Sequence, residues 1–213
     1  MTPSFLIFLV GLLYVVIFWV LSLLRRERLS SQFAYEGLGL TAIAYAAVRW
    51  GELAVHPIYF LFLIYLITMR VRLLVELGNL FSKSGRHRLA LGLYRLALHL
   101  FCDQSSRLIA LINIGAAYLS MASVDQAVEV LENAKVHVSK QLGPKHAAGC
   151  CYNLGMAYRR AGRPADALRQ FAAVGDIYPL SMYARMAERA RQATLEESGI
   201  AGVAAKKDGS ADG

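Results

Sequence analysis

Between Ser4 and Leu24 the chain carries no charged residue: SFLIFLVGLLYVVIFWVLSLL. A helix rises about 1.5 Å per residue, so this run is long enough to cross a hydrocarbon layer of about 30 Å. Lipid offers the backbone no hydrogen-bond partners, so a segment crossing there must satisfy its own amides as a helix. A cleaved signal peptide places positive charge before its apolar run and small residues after it. Here MTPS precedes the run, and Arg25, Arg26, Glu27 and Arg28 follow it. That order favours a retained span over 4–24.

A second apolar stretch extends from Phe33 to about Met69 and is interrupted around Arg49–His56. It is too long for one span and fits a helical hairpin with arms at about 34–50 and 53–69, turning near Gly51 and Pro57. Gly39, Ala42, Ala44, Ala46 and Ala47 make the first arm small enough for a neighbouring helix to approach closely. Tyr35, Tyr45, Trp50 and Tyr59 suit the interface. Glu36 and Arg49 near the ends of the first arm make a re-entrant or surface-lying segment its alternative.

Charge divides the chain in the same place. The protein has 213 residues, 56% of them hydrophobic and 18% charged, with a formal net charge of +8. Soluble domains average roughly 45–50% apolar and roughly 25% charged, so neither a disordered chain nor a wholly soluble one fits. Residues 1–69 are nearly neutral, whereas 70–198 hold 17 basic and 10 acidic residues. Basic residues cluster after the first span and at Arg70 and Arg72 after the last. The positive-inside rule therefore places the amino terminus outside and everything beyond Arg70 in the cytoplasm.

The charged portion repeats. Gly78, Gly115 and Gly155 are each followed three residues later by an aromatic, Phe81, Tyr118 or Tyr158. Twelve residues after each glycine stands Ala90, Ala127 or Ala167; four further on is Tyr94, Leu131 or Phe171, and then Ala97, Ala134 or Val174. Small residues at these positions let two antiparallel helices cross closely, with turns expected at Gly85, Ala122 and Gly162. The third copy, CYNLGMAYRRAGRPADALRQFAAVGDIYP, carries the pattern most fully. These residues resemble the tetratricopeptide repeat (TPR), a helix-turn-helix unit of about 34 residues. Spacings of 37 and 40 between the glycines imply lengthened links, the longer one through an extended helix before Gly143 and Pro144.

The resemblance covers roughly 71–179 and implies a stack that binds proteins along the concave face made by each unit's first helix. It assigns Asn79 and Lys83 from copy one to that groove, with Ile112, Ala116 and Leu119 from copy two. Copy three supplies Tyr152, Met156, Arg159 and Arg160. Such a groove is basic at its ends and apolar in its middle, which suits an amphipathic or acidic-tipped peptide or helix. Some members of the family clamp a carboxylate with Asn and Lys or Arg. Val75, Gly149 and Asn153 stand where the basic members would be, which argues against that use. Arg70, Arg72, Arg86 and Arg88 lie near the expected bilayer surface, where each basic residue attracts anionic lipid by about 1 kcal/mol.

No catalytic constellation is present in the sequence. The histidines at 56, 87, 99, 137 and 146 are scattered, and His146 with Cys150 does not complete a metal site. No phosphate-cradling glycine motif occurs, and the charge lacks a nucleic-acid-binding motif. Glu36, Glu52 and His56 fall near span ends, where water solvates them, so they do not mark an ion pathway.

The expectation is an all-α chain: a transmembrane anchor over 1–70 with three spans, a three-unit TPR solenoid over 71–179, a capping helix over 180–198 and a disordered tail over 199–213. It has no enzymatic role and no cofactor. The expected function is a bacterial inner-membrane adaptor that holds a protein partner in its cytoplasmic groove and aids assembly or stability of a membrane complex. An accessory subunit bound through its spans is the alternative, and a small membrane enzyme or transporter component the more distant one. From Pro57 to Ser84 nothing breaks a helix, so the last span is expected to run directly into the first repeat.

Overall fold

A computed structural model describes residues 2–24, 31–51 and 54–199, which contain nine α-helices and no strand. The helices are α1 (Pro3–Leu24), α2 (Ser31–Trp50), α3 (Pro57–Lys83), α4 (His87–His99), α5 (Gln104–Ser120), α6 (Val124–Gln141), α7 (Pro144–Arg160), α8 (Pro164–Ile177) and α9 (Met182–Glu197). Arg25, Arg26, Arg28, Glu52 and residues 200–213 lie outside the described residues, and with them much of the orientation argument and nearly all of the expected tail.

Two helices, α1 and α3, are long and apolar enough to cross a membrane. The expected middle span is a helix of 20 residues, but Glu36, Arg49 and its many small residues leave it less apolar than the other two. The three helices share a core of Ile7, Tyr14, Val15, Phe33, Phe60, Ile64 and Met69. Close packing is built in at Gly11, where a Cβ would lie 2.1 Å from Thr41 Oγ1. Tyr14 and Thr68 hydroxyls meet at 2.7 Å and tie α1 to α3. Outside this core, Phe5, Phe8, Trp19, Phe62 and Leu63 leave the outer faces of α1 and α3 apolar and exposed.

From α3 onward the helices form pairs, α3 with α4, α5 with α6 and α7 with α8. The first helices of the pairs also touch one another in a layer, α3 to α5 to α7, which α9 extends. The reason for the close pairing is visible at the three glycines. A Cβ on Gly78 would lie 2.4 Å from Tyr94, on Gly115 2.4 Å from Leu131, and on Gly155 2.5 Å from Phe171. Each bulky residue of a second helix thus fills the notch left by a glycine of the first.

The turns repeat as closely as the packing. Gly85, Ala122 and Gly162 take left-handed backbone with φ of 78°, 59° and 71°. The following amides return to the preceding helix: Arg86 N–H to Phe81 O at 2.9 Å, Ser123 N–H to Tyr118 O at 3.0 Å, and Arg163 N–H to Tyr158 O at 2.9 Å. This is a helix C-cap that satisfies otherwise orphaned carbonyls. As the sequence spacing anticipates, α6 is the long second helix, 18 residues against 13 for α4 and 14 for α8.

Candidate functional site

The first-helix layer carries the residues expected to line a groove, and each has a distinct environment. Lys83 is exposed, while Ala116, Tyr152 and Met156 are half-buried. Ile112 and Leu119 are buried in the solenoid core, so the middle of the layer presents less aliphatic surface than the one-helix pattern implies. Asn79 is committed: its Oδ1 accepts from the Tyr94 hydroxyl at 2.8 Å, and its amide reaches Glu76 at 3.5 Å.

The carboxyl-terminal helix changes the third copy. Tyr183 of α9 packs 6.0 Å from Tyr152, which also faces Phe171 at 6.2 Å. Glu197 accepts two hydrogen bonds from the Arg159 guanidinium, one of them at 3.0 Å. This partner holds Glu197 below the usual carboxylate range. Arg160 reaches back to the Leu119 carbonyl at the end of α5. Both arginines expected at the end of the groove therefore have internal partners. Glu197 is a residue that repeat spacing does not reveal, because it lies 38 positions from its partner.

Adjacent units are coupled through equivalent tyrosines. Arg95 donates to the Tyr118 hydroxyl at 2.6 Å, and the Tyr158 hydroxyl donates to Glu132 at 2.6 Å. Arg95 and Glu132 occupy the same position of their repeats, seventeen residues after the glycine. Arg163 lies over the Tyr158 ring, 4.4 Å from its centroid. Burial, with the Glu132 hydrogen bond second, pushes Tyr158 up to about 12.

Where the solenoid meets the apolar helices, the structure assembles a cluster for which the sequence carries no motif. Arg70 donates to both Glu36 oxygens, at 2.6 and 2.9 Å, and so joins α3 to α2. The same guanidinium holds the loop between α4 and α5, donating to Leu100 O and Phe101 O at 3.1 Å each. Gln32 adds a third donor, to Phe101 O. With a further Nη1 hydrogen bond to Ile67 O at 2.6 Å, all three nitrogens of the Arg70 guanidinium have partners within the protein. Arg72, Arg86 and Arg88 are exposed.

Beside this cluster is a cavity of about 240 Å³, walled by α1, α2 and α3, the 101–106 segment, and Ile109 and His146 of the repeat layer. Its lining mixes Phe18, Leu21, Phe33, Met69 and Val75 with Glu36, Arg72, Glu76 and Asp103. Asp103 is in use as the cap of α5, accepting from Ser105 and Ser106 amides at 3.1 and 3.4 Å. The cavity is the end of the first-helix face where that face meets the apolar helices.

Among the described residues no group of three or more His, Cys, Asp or Glu is placed to hold a metal ion. Cys150 and Cys151 are buried free thiols of the core. Burial pushes Cys150 up to about 12, with neighbouring Cys151 acting in the same direction; a thiol so far from ionising is a poor nucleophile at neutral pH.

Residues 106–179 match the tetratricopeptide repeat family model, a protein-interaction module that is generally non-enzymatic. No curated protein matches the chain. The matched region spans α5 to α8, two of the three glycine-notched helix pairs, and α3 with α4 repeats their geometry on its amino-terminal side. Residues 106–179 thus carry the likeness to the tetratricopeptide repeat family, and the match is confined to α5 to α8.

Proposed function

We propose that this protein is a membrane-anchored TPR adaptor, with its repeats in the cytoplasm and a protein partner seated on the first-helix layer. The observation that carries the reading is the continuity of α3. Its first half packs with α1 and α2, its second half is the first helix of the solenoid, and no break separates Pro57 from Lys83. At about 1.5 Å per residue such a helix is about 40 Å long, so one unbroken element runs from the apolar bundle into the first repeat. A groove fixed to a span in this way meets partners that lie at or in the same membrane, consistent with a role in assembling or stabilising a membrane complex.

The residues offered to a partner are Lys83, Ala116 and Met156, with Asn79, Ile112, Leu119 and Tyr152 forming the floor beneath them. Arg159 and Arg160 stabilise that surface through Glu197 and Leu119. Full-length protein purified in mild detergent tests the reading: Lys83→Glu/Met156→Glu should lose a partner that wild type retains, with helical content unchanged. Retention of the same partner by that variant would sink the groove as the binding surface.

A second reading, an accessory subunit held through its spans, is favoured by one observation. A Cβ at Gly39 would meet nothing within 4 Å, and Ala42 beside it is exposed, leaving a small-residue surface of α2 open to another helix. A chain truncated after residue 70 that keeps the partner would support it.

A further inference from the structure

Phe101 is one of the most exposed large apolar side chains among the described residues. It is 86% exposed, with φ of 44°, in the short loop between α4 and α5. A bulky residue in left-handed backbone carries strain, and this one buries little of its side chain in return. Yet the loop is not loose: Arg70 and Gln32 hold its carbonyls, and these donors come from two helices of the apolar bundle. The grip turns the backbone carbonyl inward and leaves the phenyl ring outward.

The height of that ring relative to the bundle is also fixed. Leu21 near the end of α1, Gln32 at the start of α2, Arg70 in α3 and Phe101 all line the same cavity. Phe101 therefore stands level with the charged ends of the apolar helices, where the hydrocarbon layer gives way to headgroups. Arg72 lines the same cavity, Arg107 stands close to Cys102 beside the loop, and both are exposed.

We propose that the 100–103 loop is a second membrane contact, with Phe101 inserted into the headgroup boundary of an anionic bilayer, so that the solenoid is docked on the membrane at a point separate from α1 and α3. This rests on reading α1 and α3 as spans. The contact is chemically suited to lipid: one apolar ring enters the interface while nearby guanidinium groups meet anionic headgroups. Docking at two places fixes the tilt of the repeat layer, and hence the direction from which a partner approaches it.

The test uses full-length protein reconstituted in phosphatidylethanolamine–phosphatidylglycerol vesicles, with bromine on the acyl chains either near the headgroup or near the chain end. A Trp19→Phe/Trp50→Phe/Phe101→Trp variant reports the loop, and a Trp50→Phe variant keeps Trp19 as the report on α1. The expected result is a shift of the loop indole to shorter wavelength on reconstitution and loss of its emission with the shallow bromines. Quenching by aqueous iodide but not by either lipid would overturn the proposal and leave Phe101 facing water or a protein. If Trp19 is quenched by lipid while the loop indole is not, the span reading survives and the docking contact fails. If neither is quenched, both fall.

Discussion

Arg70 and Glu36 form a two-point ion pair that joins the middle of α3 to the start of α2, 34 residues away in sequence. Both are about three-quarters buried, at 24% and 26% side-chain exposure. Because the guanidinium also holds Leu100 and Phe101 carbonyls, one side chain connects the apolar bundle to the first turn between repeats. Exposed pairs contribute about 0–1 kcal/mol and breaking a fully buried one costs about 3–5 kcal/mol, so losing this pair should cost on the order of 2 kcal/mol.

Arg70→Met should do more damage than Glu36→Gln, since it also releases the loop carbonyls. Hydrogen exchange at residues 100–106 reads the difference: the amides should open faster in Arg70→Met and only slightly faster in Glu36→Gln. Equal exchange in both would show that the carbonyl contacts do not hold the loop.

Gly155→Ala should destabilise the solenoid by about 1–3 kcal/mol, the usual cost of forcing extra volume into a packed site, because its Cβ would lie 2.5 Å from Phe171. Gly92→Ala is the contrasting change. It lies inside α4 with nothing within 4 Å of the new Cβ, so the helix should gain about 0.5–1 kcal/mol. Thermal unfolding of the two variants should move in opposite directions.

These packing relations were legible in the sequence because they recur. The glycine, its partner sixteen residues on and the turn seven residues on appear three times, and repetition separates signal from chance. Arg70 with Glu36 occurs once and joins two helices through tertiary packing, so no spacing rule reaches it. Ile112 and Leu119 illustrate a second limit. A single helix pattern assigns them to an open face, while the stacking of α3, α5 and α7 decides how much of that face is covered. The helix within 180–198 was readable from its amphipathic period, but the pairing of Glu197 with Arg159 was not.

Ala122 stands where the other two turns have glycine, with φ of 59°. Left-handed backbone costs an L-residue roughly 1–2 kcal/mol. Ala122→Gly should therefore raise the midpoint of chemical denaturation, less the extra entropy that glycine gives the unfolded chain. An unchanged or lower midpoint would mean that the turn carries no such strain.

Alkaline pH should loosen the repeats. Tyr94 and Tyr158 are pushed from the ordinary 10.0 up to about 12 by burial. A group whose folded value is raised keeps its proton in the native state after the unfolded chain has lost it. Its stability contribution is complete below pH 10 and declines as pH rises toward about 12. Tyr158→Phe should flatten part of that decline in a series of unfolding curves, whereas a slope identical to wild type would assign the effect elsewhere.

Site-specific photo-crosslinking in intact cells decides whether a partner at the membrane sits on the first-helix layer. A photoreactive residue in place of Ala116 on α5 is compared with one in place of Gly92 on the exposed face of α4. A discrete adduct in the membrane fraction is expected from position 116 and none from position 92. Adducts from position 92 alone, or the same adducts from both, would contradict a partner seated on that layer.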